Sequence, residues 1–190
     1  MLGSKKILMA GVSFLTVCTL AACGSGEDNE TDNMDHSSHS EESMEGMHHS
    51  SSGDVPEGLQ EAENPTYEVG SKAIMSADHM KGMDGAEATI AGAYDTKAYA
   101  ITYTRTDTGE EVKNHKWIIQ EEIEGAGEAP YEAGDEVTVK ADHMEGMDGA
   151  TAVIDSALDT TVYMVDYTST TDGQEVKNHK WVTESELSAE

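Results

Sequence analysis

The chain has 190 residues, with 38 Asp and Glu against 11 Lys and Arg, a formal net charge of −27 and two cysteines. That charge argues against nucleic acid and anionic lipid head groups as partners and favours cations, although an acidic surface also serves solubility alone. Lys5 and Lys6 precede the apolar run "ILMAGVSFLTVCTLAA", too short to span a bilayer comfortably, so residues 1–22 read as a secretory signal.

Leu20-Ala21-Ala22-Cys23 closes that run and resembles the lipobox of bacterial lipoproteins, in which the cysteine is lipidated and becomes the first mature residue. Cys18 leaves with the signal and Cys23 is acylated on this reading, so no thiol remains for a disulfide or a thiolate metal site. Any metal must then be held by His, Met or carboxylate.

Residues 23–65 are rich in Asp, Glu, Ser and Gly and nearly devoid of large aliphatics. Such a segment cannot bury enough apolar surface to offset its ordering entropy, and it is expected to be a disordered tether with a mean span of roughly 35 Å. An internal duplication follows. Residues 67–123 align with 131–187 without a gap, about half of the positions are identical, and "EGAGEAP" (124–130) lies between the copies. The predicted domains are 66–125 and 126–190.

Within a copy the local signals are β. In the first, "VGSKAIMSA", "AEATIAGAY" and "KAYAITYTR" read as successive strands, with Tyr99, Ile101 and Tyr103 alternating on one face. "TDTGE" reads as a turn, "KNHKWIIQ" as a further strand, and the terminal "EEI" as a closing turn or last short strand. Several short strands in so short a copy fit closure better than an open sheet. The expected fold is therefore all-β, with two tandem small SH3-like barrels after the tether. Each barrel is close to the lower size limit for independent folding.

"ADHMKGMDGA" (77–86) recurs as "ADHMEGMDGA" (141–150). Thioether sulfur is soft and suits Cu(I), whereas imidazole accepts either oxidation state of copper. His79, Met80 and Met83, and their counterparts His143, Met144 and Met147, each place three such donors within five residues. Gly82 and Gly85 would loosen the loop and let the donors converge. The competing explanation makes Met80 and Met83 loop-anchoring hydrophobes. Against it, "MEGMHH" repeats the theme in the tether, where Met34, His36, His39, Met44, Met47, His48 and His49 are further candidate ligands. His115 and His179 in "KNHKW" read as structural histidines beside a buried Trp, or as ligands with the indole lying over the ion. The neighbouring lysines oppose a cation there, which ranks the loop above the strand.

These motifs together resemble the YdhK/CopL family of bacterial lipoproteins. The resemblance covers the lipobox, the acidic His/Met tether, both "HMxGMDGA" loops and both "VKNHKW" stretches, nearly the whole mature chain. It implies extracytoplasmic copper binding and copper resistance, carried by His79, Met80, Met83, His143, Met144 and Met147. The expected protein is lipid-anchored at the outer face of the cytoplasmic membrane and binds copper, Cu(I) favoured over Cu(II). It would sequester the ion or pass it to a copper exporter or other copper-handling protein. A cell-wall or peptide-binding surface module is the alternative. No Ser/His/Asp, Cys/His or paired-carboxylate arrangement stands out, and the chain is not expected to be an enzyme.

Overall fold

The computed structural model describes residues 50–189. Eight strands run in chain order: β1 (Gln60–Glu61), β2 (Lys72–Met75), β3 (Glu87–Thr104), β4 (Glu111–Ile119), β5 (Glu136–Thr138), β6 (Thr151–Thr168), β7 (Glu175–Thr183) and β8 (Leu187–Ser188). Short 3-10 turns, Gln120–Glu122 and Glu184–Glu186, end the two copies where the sequence suggested a closing turn.

The fold is all-β, but the two expected SH3-like barrels do not form. All eight strands belong to one sheet that does not close, with the path β5-β6-β3-β2-β8 and β1, β4 and β7 attached to its long members. The cause lies in β3 and β6, each an unbroken strand of 18 residues. A local barrel needs a reversal near 95–97, yet no Gly or Pro lies between Gly92 and Gly109, nor between Gly149 and Gly173. "AEATIAGAY" and "KAYAITYTR" therefore run on as a single strand. Its middle pairs with the other copy, Asp95 opposite Thr161, Thr96 opposite Thr160 and Lys97 opposite Asp159. Thr161 Oγ1 donates to Asp95 Oδ1 at 2.8 Å, and Lys97 and Asp159 approach to 3.3 Å.

Because β3 and β6 pass beside each other over their whole length, the halves of the copies are exchanged. One core joins Ala73, Met75, Met83 and Ile90 of the first copy to Tyr163, Val165, Tyr167 and Leu187 of the second. A second core is its reciprocal, joining Tyr99, Ile101, Tyr103 and Ile118 to Val137, Val139, Met147 and Ile154. Tyr99, Ile101 and Tyr103 do share a buried face, as their alternation predicts, but the residues they meet belong mostly to the other repeat. Edge pairings repeat the exchange: β2 bonds β8, and Ile123 bridges Val139. A third core at the centre holds Tyr94, Trp117, Met164 and Trp181.

Part of the expected tether has definite structure. Ser51 N–H donates to the Lys177 carbonyl at 2.9 Å, its hydroxyl donates to the Asn178 carbonyl at 2.7 Å, and Lys180 Nζ bonds the Asp54 carbonyl. β1 then adds to β3 beside Tyr94 and Asp95. The signal segment, Cys23 and the tether candidates Met34, His36, His39, Met44, Met47, His48 and His49 lie outside the described residues.

Candidate functional site

Each His/Met loop connects the short strand of its copy to the long one, and each is clamped by a turn of the other copy. Gly82 and Gly146 have φ of +85° and +74°, a region that favours glycine. A Cβ at Gly82 would collide with Ser169 Oγ, and one at Gly146 with Asp107 Oδ1. The carbonyls of the same glycines accept from Thr170 N–H at 3.0 Å and Thr106 N–H at 2.9 Å. Gly82 and Gly146 thus hold each loop against its neighbour, whereas the sequence suggested that Gly82, with Gly85, loosens the first.

Within this clamp Met83 and Met147 are fully buried and pack in the two reciprocal cores. Met80 is partly buried against the first core, and Met144 is likewise half-buried. The inner methionine of each pair therefore anchors its loop. The outer one stays nearer the surface beside its histidine in sequence.

The histidines are held more tightly than the loop composition suggests. His79 Nε2 lies 2.7 Å from Glu186 Oε1, and His143 Nε2 lies 2.7 Å from Glu122 Oε1. Their side chains are 3% and 8% exposed, so these are interior contacts. Glu186 Oε2 also accepts from Trp117 Nε1 at 2.9 Å and from Thr183 N–H at 3.0 Å, while Glu122 Oε2 accepts from Trp181 Nε1 and Ile119 N–H, each at 3.1 Å. Burial alone would raise the pKa of Glu186, but the hydrogen bond and charge of His79, with the Thr183 and Trp117 donors, outweigh it and hold the carboxyl at about 2. A carboxylate so held can only accept.

The other ring nitrogens, His79 Nδ1 and His143 Nδ1, are buried and have no hydrogen-bond partner among the described residues. Among the described residues no three His, Cys, Asp or Glu side chains group so as to hold a metal ion by themselves. What the sites offer is one imidazole nitrogen each, next in sequence to a half-buried thioether, a donor set matched to soft monovalent metals.

His115 and His179 sit apart from this arrangement in role. Each ring meets a tyrosine edge-on, His115 with Tyr103 at 5.8 Å and His179 with Tyr167 at 5.9 Å. The His115 ring also lies 6.5 Å from that of His143. The indoles lie T-shaped to the loop histidines, with ring centroids 6.2 Å apart for Trp117 and His79 and 6.5 Å for Trp181 and His143. The cation over each indole face is a lysine, Lys116 Nζ at 5.5 Å and Lys180 Nζ at 5.9 Å. Asn114 and Asn178 take φ of 50° and 52°, which asparagine tolerates, where the strands β4 and β7 slip register against β3 and β6.

Glu122 and Glu186 were not singled out by the sequence reading. Their signal was present, since they are identical residues at matched positions of the two copies, in otherwise divergent closing turns.

Fold and site together define an all-β protein of two exchanged repeats, each contributing the carboxylate bonded to its twin's histidine. Comparison with known proteins finds the same two repeats. The model of the DUF1541 family, described as a protein of unknown function, matches residues 69–120 and again 133–184, and the chain belongs to that family. It is 58% identical over 190 residues to the uncharacterized protein YdhK of Bacillus subtilis (strain 168), covering 96% of this chain and 87% of the relative. A crystal structure of the DUF1541 protein ydhK from that organism superposes with a TM-score of 0.74 at 64% identity, covering 77% of this chain and 99% of the other. A solution NMR structure of the B. subtilis ydhK C-terminal domain gives a TM-score of 0.62 at 63% identity, covering 65% and 93%.

Proposed function

We propose that this chain is a membrane-anchored, extracytoplasmic copper-binding lipoprotein that sequesters Cu(I), and to a lesser extent Cu(II), and so contributes to copper resistance. One observation carries the reading: two buried histidines, at the heads of two methionine-bearing loops, each present an Nδ1 with no hydrogen-bond partner among the described residues. A buried polar atom left unmatched costs about 1–3 kcal/mol, and a bound metal removes that cost. His79 with Met80, and His143 with Met144, would hold the ion. Met83 and Met147, fully buried in the two cores, rank behind them, and His115, whose ring lies 6.5 Å from that of His143, is a further imidazole candidate.

Lipidation at Cys23 would fix the protein to the outer face of the cytoplasmic membrane, and the tether's histidines and methionines would gather further ions. Linked sites share effective concentrations of order millimolar, which suits retention, and a copper exporter or other copper-handling protein would be the natural recipient. Nucleic acid is not a partner on this reading, and no catalytic role is assigned.

The test is competition. A chain lacking residues 24–49 is equilibrated with Cu(I), Cu(II), Ag(I) or Zn(II) against a chelator of known affinity and compared with the same chain carrying Leu at 80, 83, 144 and 147. Cu(I) and Ag(I) retention by the first and its loss in the second supports the assignment. Equal retention by both would falsify it.

The alternative of a cell-wall or peptide-binding module has one observation in its favour. The surface around Asn178 accepts the extended segment at Ser50 and Ser51, through both backbone and side-chain bonds.

A further inference from the structure

The sequence places each candidate site inside one repeat, but the hydrogen bonds do not. His79 is bonded by a carboxylate from the end of the second copy, and His143 by one from the end of the first. Every oxygen of those carboxylates is engaged: Glu186 Oε1 by His79, and Oε2 by Trp117 Nε1, Thr183 N–H and Thr183 Oγ1 at 2.9 Å. Glu122 repeats the pattern with His143, Trp181 and Ile119. Such a carboxylate accepts and cannot donate, so the imidazole nitrogen facing it must carry the proton. In a neutral ring the lone pair is then confined to the opposite nitrogen.

We propose that the donor atom of each site is Nδ1, and that Glu186 and Glu122 are positioning residues that set it from across the repeat boundary. The inference rests on the copper reading above and deepens it. A histidine kept only for packing would have no use for a fixed tautomer with its lone pair buried and unmatched. A protonated ring would fare worse, because Nδ1 would then be a buried N–H without an acceptor. A soft cation at Nδ1 satisfies the ring in the tautomer that the carboxylate imposes, which is the general manner in which a carboxylate orients a metal-binding imidazole. That the same arrangement is built twice, from residues exchanged between copies, argues against accident. Each ion would thereby be held by both repeats, one supplying the donor and the other its orientation.

The experiment is residue-resolved nitrogen NMR of the histidine rings in the full chain, with Ag(I) as a diamagnetic stand-in for Cu(I). Without metal, His79 and His143 are expected as the Nε2–H form. Ag(I) is expected to move their Nδ1 resonances upfield while Nε2 keeps its proton. Glu186→Gln should then weaken Ag(I) binding at His79 by about 10- to 100-fold and leave His143 unchanged, and Glu122→Gln should do the reverse. A Nδ1–H tautomer, or a metal shift at Nε2, overturns the inference while leaving metal binding intact. So does a Glu186→Gln chain that binds at His79 as before. If neither histidine responds and no Ag(I) is retained against chelator, the copper reading itself fails. The wild-type tautomer needs no variant, so a substitution that disturbs folding does not remove the test.

Discussion

The carboxylate of Glu122 accepts the indole N–H of Trp181 at 3.1 Å, a buried bond between residues 59 apart in the chain and in different repeats. Glu186 and Trp117 make the matching contact at 2.9 Å in the other direction. Neither repeat therefore completes its own interior.

It follows that the two repeats unfold together. With Trp117→Phe and Trp181→Phe, each leaving a single indole reporter, urea denaturation should give coincident curves for the two probes and circular dichroism. Residues 126–190 alone should show no folded monomer. Two separated midpoints, or a stable monomeric fragment, would contradict the exchange.

Gly82→Ala should cost more than Gly85→Ala. Both positions have positive φ, at +85° and +73°, but a Cβ at 85 meets open space whereas one at 82 strikes Ser169 and Thr171. The backbone strain alone is worth about 1 kcal/mol or more. Gly82→Ala should exceed that in denaturant midpoint shifts at unchanged slope, and Gly146→Ala should behave like Gly82→Ala because Asp107 occupies the corresponding space. Equal shifts at 82 and 85 would count against the clamp.

Met83→Leu separates packing from ligation. Met83 is fully buried in the first core, and a volume-conserving swap should cost less than about 1.5 kcal/mol, whereas Met83→Ala should cost about 2–5 kcal/mol. Thermal melts check both figures. Cu(I) competition on Met80→Leu, a half-buried position, should show the larger loss of soft-metal affinity.

Alkali should unfold the protein through its buried tyrosines. Burial pushes Tyr163 and Tyr167 up to about 12 from an ordinary 10.0, and burial raises Tyr94, Tyr99 and Tyr103 as well. A raised folded-state pKa gives stability that is complete below the unfolded value and is lost as pH rises through the folded one. The contribution of these tyrosines should thus be level below pH 10 and be lost between about pH 10 and 12. Tyrosinate absorbance rising smoothly from pH 10, before any change in circular dichroism, would show these hydroxyls to be accessible.

The duplication, the β character and the buried face of Tyr99, Ile101 and Tyr103 were legible because each is a local pattern. The exchange was not. When two copies are about half identical, a given side chain finds the same kind of partner in its own repeat or in its twin, so the pattern says what touches what but not in which copy. The only local trace was the lack of Gly or Pro across 93–108, a stretch where two strands were expected and one runs. The loop histidines were legible from the repeated motif. Their carboxylates were hidden because one Glu in a closing turn draws no notice in a chain with 38 acidic residues.

The pairing of β3 with β6 has a centre. Thr96 lies opposite Thr160, its own counterpart in the other copy, while Asp95 opposite Thr161 and Lys97 opposite Asp159 are one contact written twice, with the copies interchanged. An antiparallel register centred on equivalent residues is the signature of an isologous interface, the kind that joins identical subunits about a two-fold axis. The ancestor of this chain is then best pictured as a single repeat that paired with itself. The join at 124–130 made that partnership permanent: association no longer depends on protein concentration, and the two halves became free to drift apart, as Lys81 and Glu145 have done in otherwise identical loops.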